Sequence, residues 1–196
     1  MNEETTPKKK KSVLREWIDS IIIAFILAMF VRVFFFEFYK IPTSSMVETL
    51  IPGDRILVGK VVYGPRIPFI GLRIPGYRKP QRGEIIVFIS PPERSKAYVK
   101  RIIGMPGEEV EIIRGSIYVN GNELTDQAIS TNFYYNFGDY GEAGRAITIP
   151  EKSYFCLGDN SAASRDSRHW GFVPSEDVLG KAILIWWPPK RIRMIN

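Results

Sequence analysis

The 196-residue chain predicts a mostly β fold, an antiparallel β-sheet domain carried behind one N-terminal transmembrane helix. Three observations predict it. One long apolar run, residues 21–36, stands near the N-terminus, and no comparable helix elsewhere could bury it on all sides. From Ile41 onward there is no long amphipathic helix, no repeat and no low-complexity segment. Short β-branched and aromatic runs alternate there with Pro- and Gly-bearing turns.

The elements follow in chain order. Lys8, Lys9, Lys10, Lys11 and Arg15 precede the apolar run, as the positive-inside rule expects of a cytoplasmic tail. Residues 1–17 are therefore expected inside the cell and the main domain outside it. Ile18 and Phe38 extend the run to a span of residues 18–38, with Tyr39 continuing its apolar character at the boundary, long enough for a ~30 Å hydrocarbon layer. Its one charge, Arg32, lies toward the C-terminal end, where the side chain can snorkel to the headgroups. Bulky Phe34, Phe35, Phe36 and Phe38 stand where a cleavable signal would need small side chains, so the segment reads as a retained anchor. The net charge of +6 owes part of its excess to the tail, which would meet anionic lipid; no nucleic-acid partner is needed.

Residues 39–196 make one extracytoplasmic domain. Strands are expected at Arg55–Val62, Glu84–Ile89, Ala97–Ile103, Glu109–Ile113, Ser116–Val119, Ala146–Ile149, Tyr154–Leu157 and Lys181–Trp187. Arg114-Gly115 and Asn120-Gly121 mark hairpin turns. Gly64–Arg82 reads as a loop, and Thr125–Arg145, which lacks periodicity, as an excursion or small subdomain. The lone Cys156 cannot form an internal disulfide, and one Cys with one His make a poor zinc site. No metal or cofactor is expected.

Chemistry is expected close to the anchor. About seven residues separate Phe38 from Ser45 in the turn Ile41-Pro42-Thr43-Ser44-Ser45-Met46, so this serine lies within ~25 Å of the span. A serine hydroxyl needs a base to become a nucleophile. Two side chains are candidates. His169 follows the fixed cation Arg168, which disfavours its protonated form. Lys100 shares a strand face with Tyr98 and Ile102, an apolar setting that would depress its pKa. Arg101 cannot serve, because guanidinium stays charged.

The run Ile41–Met46 resembles the nucleophile motif of type I signal peptidases, the Ser/Lys proteases that remove signal peptides. Gly53-Asp54-Arg55-Ile56-Leu57-Val58 resembles that family's next box. Tyr98 to Gly107 resembles its lysine box, and Gly158-Asp159-Asn160 with Ser164-Arg165-Asp166-Ser167-Arg168 its last box. The four occur in family order behind an N-terminal anchor. The resemblance implies a signal-peptidase-like β fold, with Ser45 (not Ser44) as nucleophile and Lys100 as general base. It also implies an oxyanion hole from the Ser45 N–H and the Thr43 hydroxyl, Ser164 hydrogen-bonded to the lysine, and a supporting Asp166–Arg168 ion pair. Ile41, Pro42, Met46, Tyr98 and Val99 would line shallow pockets for small side chains at positions −1 and −3 of the cut. An extended signal peptide would pair with the edges at Tyr39–Pro42 and the approach to Lys100.

The implied partners are preprotein signal peptides, the lipid bilayer and the protein-export machinery. The implied location is the cell (inner) membrane, crossed once, with the N-terminus cytoplasmic. Two departures stand out: Thr43 replaces the family's common Ser, and Ser161-Ala162-Ala163 replaces a more polar segment that commonly begins with Arg. The latter puts the salt bridges of that loop in question. Trp186, Trp187, Phe133, Tyr134, Tyr135 and Phe137 are candidates for resting on the bilayer or for packing inside. Two other readings stay open, a Ser/Lys maturation peptidase with a narrow client and a non-catalytic membrane adaptor that keeps the fold.

Overall fold

A computed structural model describes residues 13–67 and 72–195. The lysines at 8–11 lie outside the described residues. Helix α1 spans Val13–Phe34, and none of its residues is buried. Its 22 residues measure about 33 Å, enough to cross a bilayer, and its bare apolar surface has no protein partner among the described residues. Its ends differ from the expected 18–38. The helix begins earlier and stops at Phe34, because Phe36–Lys40 is strand β1, paired antiparallel to β2 (Arg55–Gly59) with Phe38 opposite Leu57. Apolarity alone continued the helical run into a strand.

The remaining strands of the larger sheet are β3 (Ile85–Ile89), β4 (Ala97–Gly104), β9 (Ser153–Leu157), β10 (Val173–Pro174), β11 (Val178–Trp187) and β12 (Arg193–Met194). They run in the order β1-β2-β11-β3-β4-β9-β10, all pairs antiparallel, with β12 added to β11. A smaller sheet, ordered β7-β6-β5-β8, contains β5 (Glu109–Ile113), β6 (Ser116–Val119), β7 (Asn122–Glu123) and β8 (Ile147–Thr148). The β5–β6 hairpin matches its expected bounds, and Asn120-Gly121 makes the turn to β7. The region 125–145 contains one short helix, α2 (Gln127–Ser130), capped by the Asp126 side chain, in an otherwise irregular path. A second short helix, α3 (Ser167–Trp170), follows β9.

Strand β3 explains the layering. Ile85 and Val87 join Ile41, Met46, Leu50, Ile56 and Ile185 on one face, whereas Ile86 and Phe88 join Tyr63, Ile102 and Val173 on the other. Both faces are covered, so the strand is a continuous apolar run instead of an alternating one. A third core, with Val110, Ile117, Tyr134 and Phe155, fills the space under the smaller sheet. Strand β4 pairs with β3 along Ala97–Arg101, but β9 reaches only its later half, from Arg101. Lys96 to Lys100 therefore keep a free edge, and the turn bearing Ser45 approaches there.

Candidate active site

Position 45 is held by its neighbours in sequence. Ile41 and Met46 are core residues, and they pin the intervening Pro42–Ser45 segment at both ends. Gly53 N–H donates to Ile41 O, and Leu50 N–H donates to Met46 O at 2.7 Å, so the chain after Ser45 winds into a tight turn. The loop after β9 supplies the remaining restraint. Asn160 N–H donates to Ser45 O and its side-chain amide donates to Ser44 O, each at 3.1 Å.

Lys100 comes from the middle of β4. Its ammonium reaches Ser45 Oγ at 2.6 Å, and both residues are buried, at 4% and 8% exposure. As strand alternation predicts, Tyr98 flanks it on the same face, with the Lys100 nitrogen 5.9 Å from the ring centre. No carboxylate among the described residues touches the ammonium. Burial therefore dominates and pushes the Lys100 pKa down to about 8, opposed in part by the more distant Asp166 and Asp159. Thr43 Oγ1 lies 3.4 Å from Ser45 Oγ, on the same turn. His169, the other candidate base, is exposed beside the Phe137 ring and does not border the cleft around Ser45.

That cleft has a volume of about 660 Å³. Ile41, Pro42, Thr43 and Met46 form one side, with Tyr98, Val99 and Lys100 opposite. All five expected substrate-binding residues border it, and the buried Ile41 and Met46 form its floor. Tyr39 also lines it, at the start of the Tyr39–Pro42 edge where an extended substrate was expected to pair.

Beneath the cleft, two ion pairs hold the walls. Arg101, the residue after Lys100, donates from Nε and Nη2 to the two carboxylate oxygens of Asp159, both at 2.8 Å; Thr49 Oγ1 adds a 2.6 Å bond to the same group. Asp166 and Arg168 form the second pair, at 2.7 and 2.8 Å, with neither side chain exposed. Asp166 also accepts from Gly158 N–H and caps α3 through Arg168 N–H.

The loop at Ser161–Ala163 is where salt bridges were in question, and it is firmly tied. Arg168 Nη1 donates to Ser161 Oγ at 2.6 Å and Nη2 to Ser161 O at 2.9 Å, while Tyr135 N–H donates to the same hydroxyl. A small hydroxyl thus joins the guanidinium to the excursion at 125–145.

Ser164 requires a correction. Its hydroxyl is buried but makes no hydrogen bond among the described residues, so the expected contact to Lys100 is not made here. It lies against Gly158, where an added Cβ would come within 2.2 Å of Ser164 Oγ and 2.4 Å of Ser45 O. The backbone at Gly158 must pass this close for the loop to reach the serine turn.

The aromatics divide by position. Tyr134 is buried in the third core, while Phe133, Tyr135 and Phe137 stack in a row at the surface. Trp186 packs edge-on against Phe38, 5.4 Å between centres, beside the exposed Trp187.

Sequence reasoning missed Arg101, Asp159, Thr49 and Asn160 as site supports. Gly158-Asp159-Asn160 and Arg101 stood in recognised boxes, which was the available signal.

A family model described as "Signal peptidase, peptidase S26" matches residues 14–187. Signal peptidase I P of Bacillus subtilis subsp. natto is 36% identical, over 98% of this chain and 98% of its own. Signal peptidase I of Leptolyngbya laminosa is 34% identical, over 94% of this chain and 85% of its own. Among solved structures, a signal peptidase I from Enterococcus faecalis V583 gives a TM-score of 0.45 at 37% identity, covering 53% of this chain and 97% of that one.

Proposed function

The chain belongs to the signal peptidase family, peptidase S26, and we propose that Ser45 and Lys100 are the dyad with which it works. It is a membrane-associated serine endopeptidase that removes signal peptides from preproteins. The observation that carries the dyad is the 2.6 Å contact between a buried lysine and a buried serine, with no carboxylate among the described residues on the ammonium.

With a pKa near 8, roughly one Lys100 in ten is neutral at pH 7. The neutral amine takes the Ser45 proton as Oγ adds to the scissile carbonyl. The resulting oxyanion accepts hydrogen bonds from the Ser45 N–H and the Thr43 hydroxyl. Lys100, now an ammonium, protonates the departing amine, and the acyl-enzyme forms. Water then enters, loses its proton to Lys100 and releases the acid, which returns Ser45. Removing one oxyanion donor typically costs ~10²–10³ in rate.

The substrate is read as an extended strand between Tyr39–Pro42 and the free edge of β4, with small residues at −1 and −3 against Ile41, Met46, Tyr98 and Val99. The floor of buried apolar side chains supports that preference. Ser164 and the Asp166–Arg168 pair support the loop that holds the serine turn.

The bare helix α1 and the neighbouring Phe38–Trp186 pair support a single membrane crossing with the catalytic domain resting at the surface. The lysines at 8–11 support an N-terminus inside the cell and a domain outside it, at the bacterial cell membrane, where the export machinery delivers its clients.

The test is cleavage of a signal-bearing preprotein in detergent by the wild type, Ser45→Ala and Lys100→Ala. Both variants are expected to lose activity while keeping the fold by circular dichroism. Near-wild-type cleavage by either one ends the dyad reading.

A further inference from the structure

Helix α1 and strand β1 are separated by Phe35 alone. With two soft dihedrals per residue, such a joint would let the catalytic domain swing against its anchor. Lys60, on the turn after β2, spans this joint with three contacts. Its backbone N–H donates to Phe35 O at 2.9 Å. Its ammonium donates to Arg32 O at 3.3 Å, taking up one of the carbonyls that a helix C-terminus leaves unpaired. The same ammonium pairs with Glu37 of β1 at 2.8 Å, and the two side chains are only 18% and 30% exposed.

The contact chain continues to the cleft. Tyr39, on the same strand face as Glu37, lines the cleft and packs against the core that contains Ile41. Its hydroxyl is pushed above the ordinary phenol range by burial and then by the Glu37 carboxylate. The end of the membrane helix, Lys60, Glu37 and the wall of the cleft therefore form one connected path.

We propose that Lys60 and Glu37 are positioning residues that lock the cleft at a set height and angle over the membrane helix, and so fix how far from a substrate's apolar segment the enzyme can cut. The inference rests on the signal-peptide reading above. A substrate whose apolar segment lies in the same bilayer presents its cleavage site at a height set by the residues between the two. Each residue of extended chain moves that site by about 3.3 Å. A locked cleft accepts a narrow band of such lengths, and a swinging one accepts a broad band.

The experiment uses the full-length chain in phosphatidylcholine–phosphatidylglycerol vesicles. Its substrates are a preprotein series with none to four residues inserted between the apolar segment and the cut, and a short soluble peptide carrying the same cleavage site. Each rate on the series is divided by the rate of the same variant on the soluble peptide, so a general loss of folded enzyme cancels. The wild type is expected to show one sharp optimum. Lys60→Ala and Glu37→Gln are expected to lower the normalised rate at that optimum several-fold and to spread cleavage over the longer insertions, and Lys60→Arg is expected to restore the sharp profile. The clip is overturned if the wild type shows no dependence on length, or if either variant keeps the wild-type optimum and width. Residual cleavage by Ser45→Ala in the same vesicles would sink the dyad instead, which separates the two failures.

Discussion

Lys100 and Arg101 are adjacent on β4, both are cations, and both are buried, at 4% and 3% exposure. The charge they face differs. Arg101 faces the Asp159 carboxylate with two 2.8 Å bonds, and that pairing holds its charge against the opposing effect of burial. Lys100 faces a serine hydroxyl and a tyrosine ring, so burial goes unopposed at close range and pulls its pKa to about 8. One strand thus places a fixed charge on one face and a proton acceptor on the other. The presence of a partner carboxylate, more than burial itself, decides which cation keeps its charge and which can serve as the proposed base.

The largest way to break this contrast is to give position 100 a cation that cannot lose its proton. Lys100→Arg keeps charge and much of the bulk, but a guanidinium cannot act as a base. Cleavage should fall by at least ~10²–10⁴, the usual contribution of a general base. Retention of more than a tenth of the wild-type kcat/KM would mean that another group takes the Ser45 proton.

A second test sets the two residues against each other in stability. Asp159→Ala leaves Arg101 buried and uncompensated, a loss of about 3–5 kcal/mol in comparable buried pairs. Lys100→Met should move the other way. Lowering a lysine pKa from 10.5 to about 8 corresponds to about 3 kcal/mol held against folding at neutral pH, and methionine lifts up to that amount. Urea unfolding of the full-length chain in detergent reads both. Destabilisation by the two changes alike would show that Lys100 contributes packing or bonding that outweighs its desolvation.

How much of this was legible in the sequence follows from the range of each interaction. The β5–β6 hairpin was readable because its alternation and its Arg114-Gly115 turn are local. Strand β1 was not, because Phe36 to Tyr39 continue the apolar character of the helix before them and only pairing with β2 marks them as strand. The early part of β11 was hidden by Gly180, which weakens a strand pattern; a Cβ there would fall 2.7 Å from Gly59 O on the paired strand. Ser45 and Lys100 were nominated because each sits in a recognisable box, and the fold brings them to 2.6 Å. The Arg101–Asp159 pair joins residues 58 positions apart, and nothing local to either announces the other. The role of Ser161 was not foreseen, for a similar reason. Its partners are Arg168 and the backbone of Tyr135, and a serine in a loop carries no sign of a guanidinium folded over it.

The smallest effect, and the one that most sharpens the contrast, is the pH dependence. In the proposed role, Lys100 can take a proton only when neutral. With its pKa at about 8, kcat/KM should rise roughly tenfold from pH 6 to pH 7, continue upward to about pH 8 and then level off. Stability should follow a related course by linkage. The folded-state pKa lies below the unfolded one, so between about pH 8 and the unfolded value near 10.4 the unfolded chain binds more protons, and stability from this group increases with pH across that window. Arg101 contributes nothing to either curve, because its guanidinium stays charged throughout. A rate profile that is flat from pH 6 to pH 9 would mean Lys100 titrates elsewhere. A rise in rate that disappears in His169→Ala would transfer the base role to the exposed histidine, against the 2.6 Å Lys100–Ser45 contact that supports the lysine.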